Sequence, residues 1–300
     1  MKKHGAKRIS KFDATVEVVN IVFLSIIAVI ILYPLIYVLS ASFSDAMSVT
    51  SGKMFLWPVD LTLENYEEVF KNKNIVLGFR NSIIIMVSGT VINLLMTILA
   101  AYPLSRRDLW GHSVIMKLIT FTMFFNGGLI PSYLLIGKTL GLMDNWLSLI
   151  LPGAISVYNM IIMRTYFVSS VPFELQEAAE IDGCSMFGIL VRIVLPLSGP
   201  VIAVIALYYA VGHWNSYFNA LLYITSEDLQ PLQLYLRKVL TLNNAQSLMQ
   251  MGADEMARQA MRAETIKYSV IVVSSIPMLI MYPFVQRFFV KGVMIGAIKG

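Results

Sequence analysis

The sequence predicts an all-α membrane protein with six transmembrane helices, and three observations predict it. Hydrophobic residues fill 57% of its 300 positions and charged ones only 14%, against about 25% charged in an ordinary soluble chain. The apolar residues gather into six runs, each near the roughly 20 residues that a helix needs to cross a bilayer. The cations, in turn, concentrate on alternate connections between those runs, as the positive-inside rule requires.

Residues 1–17 carry Lys2, Lys3, Lys7, Arg8 and Lys11 and are expected in the cytoplasm. The first span, over residues 18–40, is too long for a removable signal peptide and lacks a small-residue cleavage site, so it should stay as an anchor. Its Pro34 is tolerable where neighbouring helices re-satisfy the freed carbonyl. Residues 42–76 follow outside, with Trp57-Pro58 and an amphipathic helix near 63–70 that suits either the outer interface or a solvated connector. Span two covers 82–104 and stops at Arg106-Arg107-Asp108, an inner marker.

Span three, over 114–136, contains Asn126-Gly127-Gly128-Leu129-Ile130-Pro131, which should break regular helix. An outer turn at 138–145 leads to span four, over 146–167, which ends near Arg164. Residues 172–196 form an inner loop, and span five covers 197–224. Residues 226–265 are the longest polar stretch and lie outside; loops of that length without a core of their own are usually functional or disordered. Span six, over 267–285 with Pro277 and Pro283, completes a permease domain of 18–285 and leads into a basic inner tail, 286–300.

Charge distribution also decides between partners. With both termini inside, the inner segments hold Lys2, Lys3, Lys7, Arg8, Lys11, Arg106, Arg107, Lys117, Arg164, Arg192, Arg287, Lys291 and Lys299, while the outer segments are near balance. The net charge of +5 therefore reads as topology, facing the lipid bilayer, and not as a nucleic-acid surface. Cys184 is the one cysteine, which excludes an internal disulfide and a cysteine metal cage.

The inner loop carries the most informative pattern. Glu177, Ala178, Ala179, Gly183, Ile193, Leu195 and Pro196 stand in the order Glu-Ala-Ala-x₃-Gly-x₉-Ile-x-Leu-Pro. Paired alanines let another backbone come close, and the glycine supplies a sharp turn. The loop reads as two short helices: Pro172 suits a first turn, Glu174 and Glu177 favour the positive N-terminal end, Gly183 closes the first helix and Ser185 caps the second. Phe187, Leu190, Val191 and Val194 should form one apolar stripe against the bundle. Glu174, Glu177, Glu180 and Asp182 leave an acidic face where a basic one is expected, which suits docking better than a solvated loop.

This motif resembles the cytoplasmic signature of ATP-driven importer permeases. Together with the run from Ser275 to Gly292, it is similar to carbohydrate importers of the maltose type, and most similar to the smaller of that system's two permeases. Met123-Phe124-Phe125-Asn126-Gly127-Gly128-Leu129-Ile130-Pro131 resembles a branch linked to uptake of oligosaccharides and polysaccharide fragments. The resemblance covers essentially the whole chain. It implies the type I importer permease (MetI-like) fold, a bacterial cytoplasmic membrane, and a binding-protein-dependent import machine. Its partners would be a second, homologous permease, two cytoplasmic ATPases and an extracytoplasmic sugar-binding protein. The Glu177 loop would couple to an ATPase, and ATP with Mg would sit on that ATPase, this chain binding no cofactor. The 226–265 loop would reach toward the binding protein.

Tyr208, Tyr209, His213, Trp214, Asn215, Tyr217 and Asn219 crowd the fifth span. Polar groups within a span tend to face the bundle interior or a wet cavity, and aromatic faces suit sugar rings. The same residues also suit outer-interface anchoring and helix packing, and the maltose-type resemblance places most sugar contacts on the partner permease. Gly137-Lys138-Thr139 imitates the end of a nucleotide-binding loop, but position 132, where the first glycine belongs, is Ser132, and the segment lacks a strand before it. No paired carboxylates, nucleophile elbow or metal-ligand spacing appears, so no catalytic chemistry is assigned. A permease for peptides or amino acids is the nearest alternative; an ion-coupled transporter would want acids inside the spans, whereas almost all Asp and Glu here lie in loops or at span edges.

Overall fold

The structure, a computed structural model, describes residues 11–242, 265–283 and 286. Among them the regular elements are helical, and the extended pairing is a single bridge between Ser44 and Leu61. Three helices, Thr15–Ser42, Lys73–Ser105 and Thr265–Pro283, are long and apolar enough to cross a membrane; three bent pairs raise the number to six if each is one span. Contacts divide the chain into two compact units, residues 1–69 with 243–273 and residues 70–242 with 274–300.

In the first unit, α1 (Lys11–Ser42) is apolar on every side, and its side chains from 15 to 36 are all exposed on the chain. A helix of that kind belongs in hydrocarbon or against another membrane helix. At its end a small core of Ala41, Val49 and Met54 forms with Tyr37, Val59 and Tyr268. The loop beyond is ordered: Asp45 caps α2 (Ala46–Thr50), Ser40 Oγ donates to the Leu56 carbonyl at 2.6 Å, and Asn65 Nδ2 to that of Ser44 at 3.0 Å. The amphipathic helix expected near 63–70 is α3 (Glu64–Lys71).

The second unit is organised around α4 (Lys73–Ser105), whose 33 residues at about 1.5 Å each reach about 50 Å, well beyond the roughly 30 Å hydrocarbon core. Asn72 caps it, accepting from the Asn74 and Ile75 amides. The expected break in span three is real and sharp. After α5 (His112–Phe124), Gly128 takes φ 83°, its amide donates to Asn126 Oδ1 at 3.0 Å, and α6 (Leu129–Leu134) with its terminal π turn leaves at 104° to α5. Span three, expected over residues 114–136 with a break inside it, is therefore a bent pair.

Span four is α7 (Leu147–Ile150) followed, across a 50° bend, by α8 (Val157–Ser170). The inner loop holds α9 (Phe173–Ile181) and α10 (Met186–Ile189); a π turn, Leu190–Val194, and a short α11 (Leu195–Leu197) continue it. An 85° bend at Ser198 then starts α12 (Gly199–Trp214). Span five was expected to run to residue 224, but helix ends at Trp214, and α13 (Phe218–Tyr223) is a separate piece. The outer stretch opens with α14 (Leu232–Leu242), and the last described helix is α15 (Thr265–Pro283). The rest of the expected outer loop, residues 243–264, and the tail from 287 lie outside the described residues, as do residues 1–10.

The core of this unit is built from α4, α8 and α12, with Ile98, Ala101, Met163, Phe167, Ile205 and Tyr209 buried together. Close approach is made possible by small residues: a Cβ on Gly89 would stand 2.5 to 2.8 Å from the His213 ring, and one on Gly78 would stand 3.1 Å from the Leu232 backbone.

Candidate coupling site and polar interior

The loop over residues 172–196 is a helical elbow. Helix α9 closes with Gly183 at φ 80°; the Gly183 amide donates to the Glu180 carbonyl at 3.0 Å and the Cys184 amide to that of Ala179 at 2.9 Å. Those two bonds satisfy the last carbonyls of the helix and reverse the chain within two residues, which glycine does without a Cβ penalty. Ser185 Oγ then accepts from the Gly188 amide at 3.2 Å and caps α10, as its sequence position implies. Pro172 stands one place earlier than expected, at the cap of α9: its own ψ of 129° is extended, so helix begins at Phe173. Glu174 lies in the first turn and Glu177 a turn later.

The seven motif residues divide into two groups. Glu177, Ala178, Gly183 and Pro196 are exposed, whereas Ala179, Ile193 and Leu195 are half-buried against the α4–α8–α12 core. The apolar stripe differs from the helical expectation: Ile189, Leu190 and Val194 are buried, and Phe187 and Val191 are 67% and 44% exposed. Phe187 precedes the π turn at Leu190–Val194, and the buried stripe runs along the neighbouring side of the helix through Ile189, Leu190 and Val194. The elbow therefore presents Phe187, Met186 and, at 87% exposure, Ile181 outward.

Two adjacent arginines hold the elbow on the end of α4. Arg106 is 6% exposed; its Nε and Nη2 donate to Asp108 at 2.8 and 3.0 Å, and Nη2 also donates to Glu180 Oε1 at 2.5 Å. Hydrogen bonding to Asp108 pushes the Arg106 pKa up; burial opposes this, and Glu180 adds to the rise. Tyr102 adds a smaller contribution, although its Oη meets no group in hydrogen-bond geometry. The same guanidinium holds the Asp108 carboxyl below its usual value. Arg107 lies over the Phe173 ring at 5.1 Å, so α9 is gripped at both ends. From α8, Arg164 Nε donates to the Leu104 carbonyl at 2.8 Å, which ties a third element to the same corner. Sequence reasoning took Arg106-Arg107 as a topology marker; its pairing with the acidic face of the loop was the missed signal.

The fifth-span aromatics and amides also separate. Tyr209, His213 and Trp214 are committed to helix packing. Tyr209 Oη bonds Thr97 Oγ1 at 2.7 Å and accepts from the Ser156 amide at 3.0 Å; His213 Nε2 lies 3.0 Å from Asn93 Nδ2; Trp214 Nε1 donates to the Ser274 carbonyl at 3.1 Å. Tyr208, Asn215, Tyr217 and Asn219 are exposed on the chain, with Arg237 over the Tyr217 ring at 5.7 Å. Gly137-Lys138-Thr139 ends a π turn, with no phosphate cradle of strand, loop and helix around it. No cluster of three or more His, Cys, Asp or Glu that could hold a metal ion occurs among the described residues.

At the opposite end of the bundle the base of the outer stretch is fastened down. Asp144, at φ 56°, accepts from the Thr225 and Ser226 amides at 3.0 and 2.8 Å and from the Ser226 hydroxyl, and these bonds lower its carboxyl pKa. Asn81 Nδ2, on α4, donates to the Asp228 and Gln230 carbonyls at 2.7 and 3.1 Å.

Apolar helices and bent helix pairs that make up to six spans, with a clamped helical elbow in the second unit, define a multi-pass membrane protein. The chain is 42% identical to the polygalacturonan/rhamnogalacturonan transport system permease protein YtcP of Bacillus subtilis (strain 168) over 279 residues, 93% of this chain and 96% of the relative. It is 41% identical over 291 residues to Protein LplC of the same organism, covering 97% of each. Among solved structures it matches a bacterial ABC transporter involved in the import of the acidic polysaccharide alginate, with a TM-score of 0.87 and 36% identity over 95% of this chain and 100% of that one. A chain of the bacterial alginate ABC transporter in complex with an alginate pentasaccharide-bound periplasmic protein matches at 0.59 with 14% identity over 94% and 96%, which shows the fold alone. No family model matches the chain. The chain belongs to the family of membrane permease subunits of ATP-binding-cassette carbohydrate importers.

Proposed function

We propose that this permease works beside a second, homologous permease, with both termini in the cytoplasm, and that the Glu177–Pro196 elbow docks on one of two cytoplasmic ATPases that carry the ATP and Mg. The observation that carries the docking is the exposure of Ile181 and Phe187, at 87% and 67%, on a loop whose backbone is closed by a glycine turn and clamped by Arg106 and Arg107. Apolar side chains on a rigid, otherwise acidic surface are a feature of interaction sites. A clamp also explains how movement of the elbow is passed to α4 without being absorbed by loop flexing.

The cargo we propose is an oligosaccharide derived from an acidic polysaccharide, delivered by an extracytoplasmic binding protein. Support comes from the names of two relatives above 35% identity, one for polygalacturonan and rhamnogalacturonan and one for alginate. The exposed Tyr208, Asn215, Tyr217 and Asn219 are the candidates on this chain for lining its path, while Tyr209, His213 and Trp214 hold the wall. The test is ATPase stimulation of the reconstituted transporter by binding protein loaded with oligogalacturonate, alginate oligomers, neutral maltooligosaccharides or peptides. Stimulation by uronate oligomers supports the proposal, and stimulation by neutral sugars or peptides alone contradicts it.

A further inference from the structure

Beside the elbow lies a cleft of about 200 Å³ lined by Tyr102, Pro103, Arg106, Leu109, Trp110 and Met186, together with Asp108. Its walls are apolar, and Trp110 at its mouth is 94% exposed. Two buried polar atoms among the lining residues, Arg106 Nη1 and Tyr102 Oη, meet no group in good hydrogen-bond geometry, although Tyr102 lies near enough to Arg106 to raise its pKa. A buried donor left unpaired is costly, and a charged one more so, so an occupant that accepts from it is favoured. The cleft is smaller than the roughly 300 to 1,000 Å³ of small-molecule sites, which favours one inserted side chain with its neighbouring backbone.

Charge decides what that occupant carries. Arg106 already serves two carboxylates, and Arg106, Arg107, Asp108 and Glu180 together are neutral. A phosphate or a third carboxylate would meet no net attraction, whereas a neutral carbonyl can take the free Nη1 and leave the balance intact. Met186 belongs both to the cleft and to the outward face of the elbow, so the two surfaces are continuous.

We propose that the cleft is a second docking point for the ATPase partner, receiving an apolar side chain flanked by a neutral backbone or amide carbonyl that accepts from Arg106 and Tyr102. This rests on the docking function assigned to the elbow. It adds a contact on the α4–α5 connection, outside the Glu177–Pro196 segment, and places the partner against the residue that clamps the elbow.

The experiment uses the full reconstituted complex with the photo-reactive amino acid benzoylphenylalanine replacing Trp110, and separately replacing Phe187. Adducts from both positions on the ATPase are expected, and Trp110→Ala should weaken association of the purified ATPase with the membrane-embedded permease pair about tenfold. Adducts from position 110 on lipid alone, or none, while position 187 still reaches the ATPase, overturn the cleft and leave the elbow's docking intact. An unchanged affinity in Trp110→Ala also overturns it. Absence of ATPase adducts from both positions overturns the docking function as well.

Discussion

Arg106, at the C-terminal cap of α4, reaches Glu180 on α9 at 2.5 Å while Asp108 holds the same guanidinium from the other side. The pair joins the elbow to α4, the helix whose far end carries Gly78, Asn81 and Ser82 under the base of the outer stretch. One rigid element thus touches both places where partners are proposed to act.

Breaking that pair should uncouple the two ends. Glu180 is 41% exposed and Arg106 only 6%, so the interaction lies between an open surface pair and a buried one, and a double-mutant cycle of Arg106→Ala with Glu180→Ala should give a coupling of about 1 kcal/mol. Uptake should fall more than thermal stability does. Equal losses in both, measured on the purified complex, would reduce the pair to ordinary packing.

Gly183 offers a test of elbow shape that avoids steric collision. A Cβ there meets nothing within 4 Å, so the cost of a side chain is the backbone at φ 80°, about 1 to 2 kcal/mol for most residues and less for Asn. Gly183→Val should lose most sugar-stimulated ATP hydrolysis, and Gly183→Asn should keep more of it. Similar activity in the two variants would show that the left-handed turn is not needed.

Ala178 is exposed and belongs to no core cluster of the described residues, so Ala178→Arg should insert and fold normally. Its expected effect is on the partner: uptake at least tenfold lower, with ATP hydrolysis no longer stimulated by loaded binding protein. Normal uptake by this variant counts against docking at the paired alanines.

Gly89→Ala acts on packing alone. Its Cβ would overlap the His213 ring by about an ångström, and overpacking of this kind costs about 1 to 3 kcal/mol. The variant should melt at lower temperature, and His213→Ala added to it should recover part of the loss. A second substitution that only deepens the loss would assign His213 a role beyond wall-building.

The outer clasp is sensitive to acid. The Asp144 carboxyl pKa is lowered below its ordinary value, chiefly by the Ser226 hydroxyl and amide. A depressed carboxylate stabilises the fold above its unfolded pKa, and that contribution disappears as pH falls through the folded value. Protection of the Thr225 and Ser226 amides, taken relative to the intrinsic exchange rate at each pH, should therefore hold from neutral pH down to about 4 and fall below it, while Asp144→Asn should show weaker protection already at neutral pH.

Much of the fold was legible because membrane spans are written in long apolar runs. Asn126 to Pro131 announced its break by glycine and proline chemistry, and the break is there. The 85° turn at Ser198 was harder to read, since Pro196, Gly199 and Pro200 each fit a helix start as well as a bend. The exposure of Phe187 and Val191 was hidden because Ile189 and Val194 are as apolar as they are, so spacing alone does not say which side of the helix faces the core. Within the site, the sequence located the elbow and its glycine turn but not the clamp, because Arg106 and Glu180 are brought together only by the return of α8 beside α4. Fifth-span residues of similar chemistry differ in placement for the same reason, Tyr209 facing Thr97 and Tyr208 facing outward.

The most direct measurement is a structure of the assembled transporter. The account predicts α9 seated in a groove of the ATPase, with Ala178 and Ile181 in contact and Arg106 still bound to Glu180. An elbow surrounded by solvent or lipid, with the ATPase held elsewhere on the permease, would contradict it.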